Sequence, residues 1–364
     1  MVEERLLRDN LSKIKDVADR TGVEIIVALK ANAMWSIFPI MREYVGGATA
    51  SSLAEARLVF EEFGTKAHTY APVYTDGEID EILNYTHTIT FNSVAQYERF
   101  GQKARMRGVS CGLRINPGWS PVETDLYNPA RPGSRLGIPA DGLSRLPEGI
   151  EGLHCHNLCE SRPEDLARTF EAIEENFGHL LPHVKWLNMG GGHLMTRKDY
   201  DRDQLVRILQ TFKAHHPNLH VILEPGSAFT WQTGVLVATV EDIVSNGGVN
   251  TLMVNVSFAC HMPDCLEMPY KPVITGARDP QPGEKRWRVG GNSCLAGDYM
   301  GDWAFDAEPK VGDRIVFEDM IHYTMVKTTM FNGVSHPSIA ILREDGRLDV
   351  VRRFGYGDYR NRMS

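Results

Sequence analysis

The feature that most constrains this chain is a repeated pattern: up to about residue 227, short apolar runs alternate with longer amphipathic stretches, about eight times. Candidate strands are 24–29, 49–50, 67–70, 88–91, 111–115, 152–154, 186–188 and 221–224, with helical periodicity over 53–63, 94–106 and 163–177 between them. Strands separated by helices pair in parallel, so the pattern implies a (β/α)8 barrel with its chemistry at the carboxyl ends of the strands. After Ser227 the texture changes to short β-rich runs with frequent Gly and Pro, at 233–244, 252–256, 287–289 and 314–317. The expected organisation is therefore a barrel over 1–232 and an all-β domain over 233–364.

Composition narrows the function classes. With 47 acidic against 39 basic side chains the formal net charge is −8, and no basic run occurs. That argues against a nucleic-acid surface and suits a cationic small molecule. No apolar stretch reaches the roughly 20 residues of a membrane span, and the start MVEERLLRDN carries no signal-peptide pattern, so a cytoplasmic location is expected. Six cysteines in 364 residues point to reduced thiols rather than a disulfide framework.

Several motifs fall at the expected strand ends. Lys30 closes the run VALK, where an amine can be partly desolvated and act as a neutral nucleophile. Asn188-Met-Gly-Gly-Gly-His193 follows another strand, and its glycines free the backbone to turn its N–H groups onto an anion. Glu224-Pro-Gly closes the last strand and brings a carboxylate able to hold a heteroaromatic nitrogen protonated. In His154-Cys-His-Asn-Leu-Cys159 the two histidines share a strand face and Cys155 points away. A histidine stacked on a planar ligand is a more economical reading there than a zinc site at Cys155 and Cys159, and no metal site is expected. Asn292-Ser-Cys-Leu-Ala-Gly-Asp298 lies in the β-rich part, followed by Asp302 and Asp306, and a thiol among acids suits a proton donor.

Taken in order, the strand-end lysine, the double histidine, the glycine triplet, Glu-Pro-Gly, Cys-x-x-x-Asp and a tyrosine before Phe331-Asn-Gly resemble the pyridoxal-phosphate decarboxylases of the alanine-racemase-like fold, fold type III. The segments HCHNLCES, PGSRLGIP, SCLAGDYMGDW and FGYGDYRNRMS are most similar to the carboxynorspermidine/carboxyspermidine decarboxylase branch of that family. The resemblance implies pyridoxal 5'-phosphate bound through Lys30, with His156 stacked on its ring and Glu224 at its pyridine nitrogen. It implies that Gly190, Gly191, Gly192 and Tyr323 hold the phosphate, that Cys294 donates a proton after decarboxylation, and that Asp298 binds the substrate amine. Asp302 and Asp306 would extend an acidic groove for a polyamine tail, and Arg135 would support the site through His156 or a carboxylate. Because lysine and cysteine come from different subunits in this family, a homodimer is implied.

The pattern also departs from the family. Ser227 stands where an arginine commonly follows Glu-Pro-Gly, and Leu295 where the diaminopimelate enzymes place a glutamate after the cysteine. The chain opens on a helix-like ERLLRDNL without the short strand that usually precedes the barrel, so either the β domain lacks a strand or the start lies upstream. A diaminopimelate or other basic amino-acid decarboxylase is the alternative reading. A racemase ranks below it, because Cys294 and Glu224 stand where a tyrosine and an arginine would be needed. A catalytically silent cofactor-binding homologue ranks lower still, since lysine and cysteine are both present.

Overall fold

Nine parallel strands, none longer than six residues, form the first of two structural units in a computed structural model that describes Met1–Ser364 in full. Strand β1 (Val2–Glu3) belongs to the second unit. The first unit, Asp9–Phe229, holds β2 (Glu24–Ile25), β3 (Val27–Ala28), β4 (Ala48–Ala50), β5 (Ala67–Tyr70), β6 (Thr86–Phe91), β7 (Ser110–Arg114), β8 (Gly152–His154), β9 (Trp186–Asn188) and β10 (His220–Leu223). Their order is β2-β10-β9-β8-β7-β6-β5-β4-β3. Only Ile26 separates β2 from β3, so both ends of that order are one stretch of chain. Its Ile26 N–H donates to the Leu223 carbonyl (3.0 Å) and its Val27 N–H to the Gly47 carbonyl (3.2 Å). Both sides are taken, and the sheet closes into a barrel with no free edge.

The barrel interior is filled rather than open. Ile26, Trp186 and Ile222 form a buried cluster. Trp186 fits because its neighbours lack side chains: a Cβ on Gly112 or Gly152 would lie 2.2 Å or 2.0 Å from its indole. The indole N–H then donates to the Ser110 hydroxyl (3.0 Å), satisfying the polar group that the large ring brings inside. Helices 94–106 and 163–177 are as the periodicity predicts, and Ser93 caps the former by accepting from Gln96 N–H (3.2 Å). The expected helix 53–63 is α-helical only to Leu58 and continues as a π-helical turn over Val59–Phe63.

The second unit comprises Met1–Arg8 and Thr230–Ser364, so the division falls after Phe229 rather than at 232, and the first eight residues change sides. A six-stranded sheet has the order β13-β15-β14-β12-β11-β16, built from β11 (Val235–Asn246), β12 (Val249–Val254), β13 (Ala277–Arg278), β14 (Trp287–Gly290), β15 (Tyr299–Phe305) and β16 (Arg314–Glu318). Leu252, Val254, Phe258, Trp287, Val289, Trp303 and Phe317 are in its core. A three-stranded sheet sets β1 beside β17 (Ile339–Leu342), with β18 (Leu348–Arg352) beyond. Val2 is in register with Ile341, so the strand expected to be missing before the barrel is present as two residues. Two residues show no periodicity, and their partner lies at the far end of the chain. No helix is long and apolar enough to cross a membrane.

Candidate active site

Barrel register brings the strand-end motifs into one place. Arg114 pairs with His154 and His154 with Asn188, so three polar side chains form a row across β7, β8 and β9. Glu224 directly follows β10, and its N–H donates to the Gly190 carbonyl (2.7 Å), which ties the Glu-Pro-Gly end to the glycine turn. Lys30 stands two residues past β3, exposed in a turn. Its charge acts on Glu224, His154, His156 and Tyr70.

Glu224 is buried, and Asn188 Nδ2 donates to its Oε1 at 2.5 Å. The same Asn188 accepts from Gly190 N–H through Oδ1 (2.8 Å), so one side chain orients both carboxyl and turn. Burial pushes the Glu224 carboxyl up to about 7, while bonds from Asn188 and Thr49 and the charges of Lys30 and Arg114 oppose that rise. His156 accepts from the Gly191 N–H at Nδ1 (2.8 Å). Burial first, then the Lys30 and Arg114 charges, hold it well below the usual histidine range, so it offers a neutral ring. His193 is likewise lowered to about 4 by burial, opposed by a bond with the Gly190 backbone.

The glycine turn is bare by necessity. Gly190 and Gly192 have φ of +65° and +94°, where side chains are strained. A Cβ on Gly190 would sit 2.5 Å from His156 Nδ1, one on Gly191 2.5 Å from the Glu224 carbonyl oxygen, and one on Gly192 2.4 Å from the Leu158 carbonyl. The turn can therefore present only backbone to an anion.

Sequence reasoning missed Arg114. Its Nη2 donates to the His156 carbonyl (2.8 Å), and its guanidinium lies 4.7 Å from the centroid of the Tyr70 ring. The Tyr70 hydroxyl donates to Asn92 Oδ1 (2.8 Å), and Asn92 Nδ2 donates to the backbone carbonyl of Arg135 (2.9 Å). The Arg135 side chain is exposed and its charge acts on Tyr70, while Arg114 is buried and reaches the His156 carbonyl. The argument that singled out Lys30, a charge closing an apolar strand, applies equally to Arg114. Cys155 is buried, with its thiol bonded to Asn157 Oδ1 (3.6 Å) and pushed up to about 12 by burial.

In the β unit, Cys294 is exposed, and its N–H donates to Asn332 Oδ1 (2.9 Å). Asn332 adopts φ +56° to do this. Tyr323 opens a short helix, Tyr323–Val326, and is half-buried. The three acids Asp298, Asp302 and Asp306, expected to line a groove, have different surroundings. Asp298 is buried and accepts from Ser293 N–H (3.0 Å), Ser293 Oγ (2.7 Å) and Ala259 N–H (2.9 Å), bonds that hold the cysteine loop. Asp302 is paired with Arg288 (3.2 Å), and Asp306 is exposed beyond the end of β15. Alternation along β15 and the bend before it separate acids that look contiguous in sequence.

Comparison with known proteins agrees with this geometry. A family model described as pyridoxal-dependent decarboxylase, C-terminal sheet domain, matches residues 17–321. The carboxyaminopropylagmatine decarboxylase of Synechocystis sp. is 51% identical over 100% of this chain and 94% of its own. The carboxynorspermidine/carboxyspermidine decarboxylase of Campylobacter jejuni is 39% identical over 99% of this chain and 96% of its own. The crystal structure of carboxynorspermidine decarboxylase from Campylobacter jejuni, complexed with norspermidine, superposes with a TM-score of 0.92 at 38% identity, covering 100% of this chain and 98% of that one. The residues at the barrel mouth fit a pyridoxal group: an amine at Lys30, a flat neutral ring at His156, a side-chain-free turn and a buried carboxyl at Glu224.

Proposed function

The chain belongs to the pyridoxal-dependent decarboxylases, the family of the ornithine, diaminopimelate and arginine enzymes, and from that premise we propose that it removes carbon dioxide from a carboxylated aminopropyl-polyamine. The observation that carries this reading is full-length similarity to relatives whose substrates all share that carboxylated end. Carboxyaminopropylagmatine, with a guanidine-terminated tail, is the leading substrate because that relative is 51% identical against 39% for the next. Carboxynorspermidine and carboxyspermidine follow. Leu295, apolar and exposed beside Cys294, offers no partner for the second charged end of diaminopimelate.

In this reading pyridoxal 5'-phosphate, when bound, supplies the electron sink for the pair left by departing carbon dioxide. Lys30 would hold the cofactor through its amine. Glu224, oriented by Asn188, holds the ring nitrogen protonated, which favours decarboxylation over racemisation. His156 would pack on the ring with its neutral face, and the side-chain-free turn at Gly190, Gly191 and Gly192, with the Tyr323 hydroxyl, would take the phosphate. Cys294 Sγ–H returns a proton to the carbon that lost its carboxylate, and its exposure fits a role across a homodimer. Arg114 fixes the backbone at His156.

The direct test supplies cofactor and follows carbon dioxide release from carboxyaminopropylagmatine, carboxynorspermidine, carboxyspermidine, meso-diaminopimelate, ornithine and lysine in parallel. Release confined to the carboxylated polyamines, fastest with the guanidine-tailed one, supports the reading. Release only from diaminopimelate, ornithine or lysine overturns the substrate.

A further inference from the structure

One buried histidine at the barrel mouth has no part in the chemistry above. His154 ends β8 at 2% exposure, and neither of its ring nitrogens has a hydrogen-bond partner. Buried polar atoms are bonded in the great majority of cases, so an imidazole left this way is poised against something. On one side lies the Tyr70 ring, with centroids 5.1 Å apart and planes at 59°. On another lies Glu224, its Oε2 3.7 Å from His154 Nε2, about 0.8 Å beyond an ordinary N–H···O bond.

The surroundings of this pair fix what His154 can be. Burial first, then the charges of Arg114, Lys30 and His68, disfavour its protonation, so the imidazole stays neutral and carries a single N–H. Around Glu224 the polar groups are Asn188 on Oε1, the Thr49 hydroxyl, and the charges of Lys30 and Arg114. Tyr70, itself backed by the Arg114 guanidinium, packs against the His154 ring.

We propose that His154 is a positioning residue for Glu224: as a neutral imidazole protonated on Nε2, it closes on Oε2 and holds the ionised carboxylate in the orientation the cofactor's ring nitrogen requires. Asn188 and His154 then grip one oxygen each. The functional consequence rests on the reading of Glu224 given above, but the grip itself does not.

The test therefore uses the cofactor-free chain. Isotope-edited infrared spectroscopy on protein labelled with [5-13C]glutamate, with the Glu224 band assigned by its loss in Glu224→Gln, gives the carboxyl titration directly. His154→Phe should move the Glu224 midpoint up by about one pH unit, a tenfold fall in the ratio of ionised to protonated carboxyl at a given pH. His154→Gln, which keeps an N–H donor, should return it most of the way. Cofactor affinity near neutral pH should fall severalfold in His154→Phe and recover in His154→Gln. A folded His154→Phe with an unmoved Glu224 midpoint overturns the proposal. Should that variant not fold, 15N resonances of the unmodified protein decide: the Nε2–H tautomer supports the grip, and the Nδ1–H tautomer overturns it. None of these readouts depends on which polyamine is decarboxylated.

Discussion

In the barrel unit the chemical groups sit at the ends of strands bonded on both sides, and Glu224, His154 and Asn188 are buried side by side, with Asn188 bonded to the Glu224 carboxyl. In the β unit, Cys294 is exposed on a loop, held by one side-chain bond from Asn332 and, one residue before it, by the buried Asp298 carboxylate. One part is preorganised by a closed sheet, where desolvation sets the ionisation of each group. The other is a presented thiol whose environment the fold leaves open. A group that must hold a cofactor gains from the first arrangement, and a group that must meet a reacting carbon and withdraw gains from the second.

Disabling each part in turn gives the largest effects. Lys30→Ala should abolish carbon dioxide release, whereas Cys294→Ala should lower it by about two to four powers of ten, as for loss of a general acid. If the two parts serve each other across a homodimer, mixing these inactive variants after dissociation and reassociation should restore about a quarter of wild-type activity, since half the dimers are mixed and carry one intact site. No recovery on mixing would place lysine and cysteine in the same subunit's site.

Preorganisation also predicts a pH signature in the cofactor-free protein. The Glu224 carboxyl has a folded-state value of about 7 against an ordinary 4.5, so the folded chain binds the extra proton between those values. Stability contributed by this group is complete below about pH 4.5 and is lost as pH rises through 7, on the order of 3 kcal/mol in all. Glu224→Gln removes that loss. Buried histidines such as His156 and His193 act in the opposite sense, so the comparison is between wild type and variant by thermal melts across pH 4.5–8. Parallel melting curves would contradict the buried, proton-holding carboxyl.

Smaller effects sharpen the contrast. Gly190→Ala puts a side chain at φ +65° against His156 and should weaken cofactor binding roughly tenfold, read by fluorescence titration, with little loss of fold. In the β unit, Asp298→Asn should loosen the cysteine loop and lower activity more than Asp302→Asn. The latter breaks one partly exposed pair with Arg288, worth about 1 kcal/mol or less. Equal effects would return both acids to a substrate groove.

The strand-end motifs and the barrel were legible in the sequence because period-2 and period-3.6 patterns report burial, and the charge closing an apolar strand reports the mouth. Strand 67–70 and helices 94–106 and 163–177 are found with the expected bounds. What was hidden depends on distant pairing. Val2–Glu3 is a strand only because Ile341 and Leu342 lie beside it. The role of Asp298 depends on Ser293 and Ala259, and the part played by Arg114 on which strand neighbours it. Local pattern carries no record of a partner that far away.

The central claim, that the barrel mouth is a cofactor site built around one amine, is tested most directly by fixing the cofactor where it sits. Protein incubated with pyridoxal 5'-phosphate is reduced with borohydride, digested, and the modified peptide sequenced by mass spectrometry. The account predicts one stoichiometric adduct, on Lys30 within VALKANAMW, abolished in Lys30→Ala. A single adduct on another lysine, or none while substrate is still decarboxylated, would contradict it.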